Sequence, residues 1–263
     1  MFQILIIIIT FSILIILHEL GHFLMARKFG VRVEEFGLGL PPRLLGKKIG
    51  ETLFSLNAIP FGGFVRMFGE EENIQDPQSF TGKPIWQRAL IVVAGVAIFW
   101  IIAALLLSVV LGFETSIIIL NQEITANFWY EIPLKGILAT ITITEVIVQM
   151  LGEIMVLAIR GQPMPVGVEV MGPVGIFDFL GDRLEMGIIY FLYFIAIIVI
   201  HLAIFNLLPI PALDGGKLLF LGIEAIRGKP ISQKTEQGLT AFFFFLLIGL
   251  MIFVTIQDVT RIF

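Results

Sequence analysis

The side chains with the clearest chemical potential in this 263-residue chain are those of His18, Glu19 and His22, which form a His-Glu-x-x-His motif. Residues four apart on a helix lie on the same face, so the two imidazoles can bind one metal ion while Glu19 points beside it. This is the geometry of a zinc hydrolase, in which the glutamate acts as general base toward water. The motif therefore predicts a hydrolytic metal site.

A third metal ligand is expected to come from a distant part of the chain. A catalytic zinc ion usually has three protein ligands and one open position, and the chain has no cysteine and only one further histidine. Asp214 is the best candidate, because an ionisable side chain at the end of an apolar stretch is costly without a role. We expect Gly215 and Gly216 to allow a sharp turn there, and an Asx turn that ends a helix is the alternative role for Asp214.

The remaining histidine, His201, lies inside an apolar stretch, thirteen residues before Asp214. A histidine in such a position is more often buried and hydrogen-bonded than bound to a metal ion. We therefore expect His201 to be structural.

The composition places the chain in a membrane. Hydrophobic residues make up 57% of it and charged residues 14%, and the mean hydropathy is +0.99, far above the values of soluble domains. The net charge of -4, with no basic stripe, excludes nucleic acid as a partner. We predict an all-α membrane protein, a single integral-membrane domain over residues 1–263.

Four apolar stretches are predicted to cross the bilayer, at about residues 2–26, 89–112, 186–208 and 238–256. Residues 135–160 are long enough to cross, but one face carries Glu145, Gln149 and Glu153, which favours an interfacial helix. Residues 31–70 contain short β-like pieces broken by glycine and proline and predict a small membrane-associated hairpin or sheet. Residues 161–183 are rich in glycine and proline and are expected to form a connection.

The distribution of basic residues orients the predicted spans. Nine Lys and Arg residues lie between positions 27 and 88, against three between positions 113 and 185. Cytoplasmic loops are the ones enriched in Lys and Arg, so the first loop is cytoplasmic and the N-terminus lies outside. With the 135–160 helix in the interface, the third span ends in the cytoplasm and brings Asp214 level with His18 and His22.

Five segments, taken together and in order, resemble the site-2 protease family, specifically the bacterial regulator-of-sigma-E-type intramembrane zinc metalloproteases. They are His18 to Phe23, Phe36 to Gly39, Gly62 to Met67, Gly172 to Ile176 and Asn206 to Gly216. The resemblance implies Zn²⁺ bound by His18, His22 and Asp214, with Glu19 as catalytic acid and base. It also implies proteolysis of transmembrane protein substrates within the lipid bilayer of the cell membrane.

The same resemblance implies how a substrate is held. Asn206, Pro209 and Pro211 would contact an extended substrate, and the Gly62-Gly63 hairpin would present the strand edge that unwinds it. An asparagine amide is a suitable partner for substrate backbone, and an unpaired strand edge is a surface on which an extended peptide can add.

Two features differ from the usual pattern of the family. Such proteins usually carry one or two PDZ domains after the second span, each of ~80 to 100 residues, whereas the stretch between Gly112 and Lys135 leaves room only for a loop. We expect a minimal, PDZ-less form in which exclusion of bulky substrate ectodomains is absent or left to a partner. Val96 and Phe99 replace a usual proline and asparagine, so Phe99 is not expected to be functional.

Two other functions are compatible with buried histidine and aspartate in a membrane protein. A metal-ion transporter would need polar residues that continue across the bilayer, and the second and fourth spans offer almost none. A catalytically inactive scaffold is disfavoured because all four expected residues are present: His18, Glu19, His22 and Asp214.

Overall fold

Helices form most of the computed structural model, which describes residues 2–70, 72, 74, 76–119, 122–163 and 171–262. In chain order the elements are α1 (Phe2–Lys28), β1 (Val33–Ile49), β2 (Thr52–Met67), α2 (Ile85–Glu114), β3 (Ser116–Ile119), β4 (Gln122–Thr125), a 3₁₀ turn (Trp129–Glu131), α3 (Ile132–Ile159), α4 (Pro173–Met186), α5 (Ile188–Leu207), α6 (Asp214–Arg227) and α7 (Gln233–Ile262).

Five of the described helices are long and apolar enough to cross a membrane: Gln3–Lys28, Ile85–Glu114, Trp129–Ile159, Ile188–Leu207 and Gln233–Arg261. Three of the helices contain the predicted spans 2–26, 89–112 and 238–256, whereas α5 is shorter at both ends than the predicted span 186–208. The remaining helix covers the stretch predicted to lie in the interface up to Ile159. The helices extend beyond the predicted spans by a few residues at most ends, because polar residues at a membrane surface continue a helix without cost to its hydrogen bonds.

The two long strands after α1 each fold into two segments, and the pairings define a four-segment sheet. Residues 33–38 pair antiparallel with 63–67, residues 43–49 pair antiparallel with 52–57, and residues 35–38 also pair with 53–56. In this last pairing the partner numbers rise together, so it runs parallel. Residues 63–67 have no second strand partner among the described residues and form one edge of the sheet.

The described contacts divide the chain into two compact units, residues 8–99 with 205–245 and residues 1–7 with 100–204 and 246–263. The first unit contains the sheet, and its apolar core lies where the sheet base meets the end of α1 and the start of α2. That core consists of Ala26, Val31, Val33, Met67, Phe80, Ile91 and Val92.

The second unit contains α3 and α4. Gly136 of α3 packs against α2, where an added β-carbon would lie 2.7 Å from the carbonyl oxygen of Ala104. The side chains of Glu145, Gln149 and Glu153 on α3 are exposed, and the interfacial position of this helix stays a prediction.

Residues 161–183 are not only the connection that we expected, since α4 begins at Pro173. Proline is favoured in the first turn of a helix, because its missing N–H would have no intrahelical acceptor there. Asp258 of α7 takes over the capping role: its carboxylate accepts hydrogen bonds from the backbone N–H of Gly172 (3.2 Å) and Gly175 (2.7 Å). Residues 164–170 of the expected connection lie outside the described residues.

Candidate metal centre

Three side chains that are far apart in the sequence converge on one point. Nε2 of His18 lies 3.1 Å from Nε2 of His22 and 3.1 Å from Oδ2 of Asp214, and Nε2 of His22 lies 3.3 Å from the same oxygen. Within the described part of the chain these residues are the one cluster of three metal-binding side chains.

The spacing of these atoms fits a tetrahedral zinc ion. Zinc bonds to imidazole nitrogen and carboxylate oxygen are about 2.0–2.2 Å long, which puts two tetrahedral ligand atoms about 3.4 Å apart. The three observed separations are within 0.3 Å of that value. Two imidazoles and one carboxylate are also the donor set of known catalytic zinc sites.

The protonation pattern around His22 calls for a cation at this point. Its Nδ1–H donates a hydrogen bond to the carbonyl oxygen of Ile91 (2.9 Å), so in the neutral ring Nε2 keeps its lone pair. Oδ2 of Asp214 is buried and has no hydrogen-bond donor among the described residues. Electron-rich atoms this close repel one another unless a proton or a metal ion lies between them, and the Ile91 contact fixes the ring orientation that a metal ion needs.

Glycine allows α1 and α2 to approach closely enough to form the histidine pair. A β-carbon at Gly95 would lie 2.6 Å from Cε1 of His22 and 2.8 Å from Cε1 of His18, and one at Gly21 would lie 2.5 Å from the carbonyl oxygen of Ala94. Because glycine has no β-carbon, Gly95 and Gly21 leave the space that the imidazoles and the close helix contact require. Small residues serve the same purpose in other membrane helix pairs.

An aromatic ring covers the other side of His18. The ring of Phe99 stacks on the imidazole, with centroids 4.6 Å apart and planes 26° from parallel. Phe99 was not expected to be functional, and this stays a prediction. The contact does restrict the orientation of His18, whose Nδ1 has no hydrogen-bond partner among the described residues.

Asp214 reaches the site because α6 begins at that residue. Gly215 and Gly216 do not have the positive φ of a sharp glycine turn. They are needed for close approach, because added β-carbons would collide with the backbone of residues 207–208 and 210–211. Both glycines thus let the first turn of α6 pack on the proline-containing turn before it.

A buried ion pair fixes α6 to α2. The guanidinium of Arg88 donates two hydrogen bonds to the carboxylate of Glu224, at 2.9 and 2.5 Å, and its Nε–H donates to the carbonyl oxygen of Lys83. Because the arginine fork makes two parallel bonds, the pair restrains rotation as well as distance. The helix that carries Asp214 is therefore held by contacts that do not involve the metal site.

Positive charge near Asp214 keeps it ionised. Burial alone raises the pKa of the Asp214 carboxyl, but its charged surroundings, among them the ammonium of Lys217, lower it well below its usual range. The Glu70 carboxylate, 2.5 Å from Lys217, raises the pKa of that lysine further above its ordinary value, so Lys217 stays charged. Asp214 is thus available as an anionic metal ligand.

A cavity of about 270 Å³ opens beside the three ligands. His18, Glu19 and Asp214 line it together with Asn206 and Pro211, two of the residues predicted to contact substrate. Glu19 therefore faces the same space as the metal-binding atoms.

The other residues predicted to contact substrate have different positions. A β-carbon at Gly63 would lie 3.2 Å from Cγ of Glu19, so the sheet edge passes directly beside the glutamate. Gly62 lies against the side chain of Leu40, and its φ of 107° is one that glycine adopts readily. Pro209 is exposed and does not line the cavity.

His201 has the structural role expected of it. Its Nδ1–H donates a hydrogen bond to the carbonyl oxygen of Ile197 at 2.9 Å, one turn earlier in α5, and it is not part of the ligand cluster.

No role in the site or the fold was predicted from the sequence for Gly95, Arg88 or Asp258. The only signal for Gly95 was a glycine in an otherwise aliphatic span.

Comparison with known proteins agrees with this geometry. The profile described as Peptidase family M50 matches residues 6–250. A candidate zinc metalloprotease of Clostridium perfringens is 31% identical over 322 aligned positions, covering 95% of this chain and 96% of that protein. The zinc metalloprotease RasP of Bacillus licheniformis is 25% identical over 419 aligned positions, which cover 97% of this chain and 98% of that protein. The regulator of sigma-W protease RasP of Bacillus subtilis is 24% identical over 419 aligned positions with the same coverage. Alignments longer than 263 residues mean that these relatives contain internal segments that this chain lacks.

Proposed function

Because this chain belongs to peptidase family M50, the site-2 protease family of membrane zinc metalloproteases, we propose that it binds its zinc ion with His18, His22 and Asp214 and cleaves peptide bonds within transmembrane segments of other proteins. The observation that carries this proposal is the convergence of the three side chains within 3.3 Å of one another. Glu19, which lines the same cavity, is the proposed general base.

The chemistry divides between the metal and the protein. Zinc, when bound, acts as a Lewis acid and lowers the pKa of water toward ~7. The Glu19 carboxylate accepts a proton from the attacking water and then delivers it to the nitrogen of the departing amine, so no proton has to cross the low-dielectric interior. The Asn206 side chain can donate to, or accept from, the backbone of the segment being cut.

The edge of the sheet supplies the surface on which a substrate can become extended. Residues 63–67 pair on one side only, within the described residues, and Gly63 lies beside Glu19. A peptide bond inside a helix is shielded by the helix backbone, whereas an added strand exposes its carbonyl groups in turn. We propose that the Gly62-Gly63 region, Pro209 and Pro211 align the substrate along this edge.

We propose four membrane crossings, with the N-terminus outside and the metal site toward the cytoplasm. Gln3, at the start of α1, donates a hydrogen bond to Glu185 at the end of α4 (2.8 Å), which supports starts of α1 and α5 on the same side. The helix α7 is long enough to cross the bilayer. Asp258, which caps α4, lies about 38 Å along α7 from Gln233, the first residue of that helix, whereas a hydrocarbon core is only ~30 Å thick.

With the N-terminus outside, these contacts favour an outer position for both ends of the 115–172 stretch, since α2 runs antiparallel to α1. If α3 crossed the bilayer, the chain would have to cross back within the thirteen residues 160–172, and a helix of that length spans only about 20 Å of a hydrocarbon core that is ~30 Å thick. A non-helical crossing would leave backbone groups unpaired in lipid. The interfacial position of α3 avoids this cost.

Cleavage of a single-span substrate by the purified protein tests the proposal. We expect cleavage to stop with a zinc chelator and to return when zinc is added. Glu19→Gln should abolish cleavage while zinc stays bound, whereas Asp214→Ala should lose both zinc and cleavage. Glu51→Gln, an exposed glutamate in the turn between the strands, is the matched control and should cleave normally. An active Glu19→Gln enzyme would refute the assignment of the base.

A further inference from the structure

A groove of about 740 Å³ runs between the sheet edge and one face of α7. On the sheet side it is lined by Phe64, Val65 and Arg66 of the edge strand, together with Leu40, Pro41 and Glu70. Alternate side chains of a strand point to opposite faces, so three consecutive lining residues mean that the groove lies along the edge of the strand. The α7 side is lined by Gln233, Glu236, Gln237, Thr240, Ala241 and Phe244. These residues recur every three or four positions, which defines a single helix face.

The metal centre opens into this groove part of the way along it. The groove and the cavity beside the metal ligands share four lining residues, namely Ala212, Lys217, Glu236 and Thr240. Thr240 also donates a hydrogen bond to the carbonyl oxygen of Pro211 at 3.1 Å, which holds α7 against the turn before Asp214. On α7 the level of the metal site is therefore the turn between Glu236 and Thr240.

The groove changes in polarity at the level of the metal site. Toward the start of α7 its wall consists of Gln233, Glu236 and Gln237, and the Lys217–Glu70 ion pair lies in the same lining. Beyond Thr240 the α7 wall continues with Ala241 and Phe244, which are apolar. From Glu236 to Phe244 the helix rises about 12 Å, which equals roughly four residues of an extended strand.

We propose that this face of α7 is the second wall of the substrate groove and that it selects extended segments that change from apolar to polar at the cleaved bond. The apolar flank of the substrate lies against Ala241 and Phe244, and the polar flank lies against Gln233 and Gln237. The substrate class is thus the boundary region of a transmembrane segment, where apolar residues give way to polar ones, rather than its centre. This inference depends on the proposed function, since it describes what the protease cuts.

The first test moves the polar boundary within a substrate. Single-span substrates would differ only in the position at which a run of leucine gives way to serine and glutamine, and mass spectrometry would locate the cut. We expect the cut to follow the boundary and to stay within roughly four residues of it. A cut that stays at one distance from the substrate terminus, regardless of the boundary, would overturn the proposal.

The second test changes the α7 wall itself. Phe244→Ala should lower kcat/KM roughly tenfold for a substrate with a large apolar residue on the apolar flank, because a pocket wall of this kind discriminates by contact area. The same variant should change kcat/KM less than about twofold for a substrate with alanine there. Ala241→Phe, which narrows the groove, should show the opposite preference, favouring the substrate with the small residue.

Phe245→Ala is the matched control. Phe245 is the next residue on the same helix and 69% exposed, against 51% for Phe244, and it does not line the groove. It should leave the selectivity between the two substrates unchanged. Zinc content and elution volume in detergent would be measured for each variant, so that a folding defect is recognised.

The two proposals fail in different ways. If the wild-type protein with bound zinc cuts none of the substrates, the proposed function is wrong. If the wild type cuts but Phe244→Ala and Ala241→Phe keep the selectivity of the Phe245→Ala control, the protease assignment stands and the role of the α7 wall is refuted.

Discussion

Replacement of Gly95 by alanine is expected to damage the metal site while leaving the helix that carries it intact. The new β-carbon would lie 2.6 Å from Cε1 of His22, whereas carbon atoms in contact are normally at least 3.5 Å apart. The imidazole must therefore move by about 0.9 Å, and metal sites tolerate only about 0.2 Å of change in ligand distances. Its hydrogen bond to the carbonyl oxygen of Ile91, 2.9 Å long, would lengthen beyond the normal range.

We expect Gly95→Ala to weaken zinc binding by at least about 10–100-fold, the usual effect of disturbing the contacts that orient a metal ligand. Alanine itself favours a helix by about 0.8–1 kcal/mol over glycine, so α2 should remain folded. Gly112→Ala is the matched control in the same helix, because its β-carbon would meet only a side-chain atom of Ile132, at 3.9 Å. Zinc affinity would be measured by competition with a chromophoric chelator. If Gly95→Ala binds zinc as tightly as the Gly112→Ala control, the packing argument for this site is wrong.

Three further results are expected. Asp258→Ala should lower the free energy of unfolding by about 2 kcal/mol, because it leaves two buried backbone N–H groups without an acceptor. The control Asp182→Ala, at an exposed position, should leave the free energy of unfolding unchanged. Thermal denaturation in detergent would compare the two variants, and equal midpoints would contradict the capping role of Asp258. Lys217→Met should lower the free energy of unfolding by at most about 1 kcal/mol, since the Lys217 side chain is 46% exposed in its pair with Glu70. Because the pKa of Lys217 is raised in the folded state, the contribution of the pair is fully present below the ordinary lysine pKa and is lost only as pH rises through the raised value. The difference in free energy of unfolding between wild type and variant should therefore be equal at about pH 6 and about pH 9. A difference that shrinks within that range would contradict the raised pKa. Insertion of a folded domain between α2 and α3 should reduce cutting of substrates with large ectodomains, and unchanged selectivity in a cleavage assay would count against the PDZ-less hypothesis.

The candidate ligands of the metal site could be predicted because each has a signal in its own residue type. His18 and His22 have the spacing of one helix face, and Asp214 stands out as an acid at the end of an apolar stretch. The structure brings all three together, as expected. The convergence itself depends on α1, α2 and α6 meeting, which no local pattern encodes.

Residues that act by being small or by reaching across the fold could not be predicted in the same way. Gly95 matters through the space that it leaves for His18 and His22, and Phe99 matters because it stacks on a ring 81 positions earlier in the chain. Asp258 looked like an ordinary polar residue near the end of an apolar helix, but it caps α4. The start of α4 was missed because Gly172 and Pro173 are also typical of a loop, and only the distant carboxylate makes them a helix start.

The sheet illustrates the same division. Its position after the first helix could be predicted from alternating residues and glycines, yet the order of its segments could not, because the parallel pairing of residues 35–38 with 53–56 joins stretches that are not neighbours in a simple hairpin. That order determines which segment becomes the edge. The proposed substrate surface thus follows from the topology rather than from the composition of residues 63–67.

The Arg88–Glu224 pair bears on how the protein acquires its metal. Zinc-finger domains have no stable fold until the ion arrives, so their assembly and their loading are one event. Here the helix that provides the carboxylate is tied to its neighbour by a bidentate salt link several turns from the ligands, and the imidazole of His22 is already oriented by a main-chain carbonyl. We therefore expect that the protein can be inserted into the bilayer before it binds zinc, and that it can lose and regain the ion without refolding.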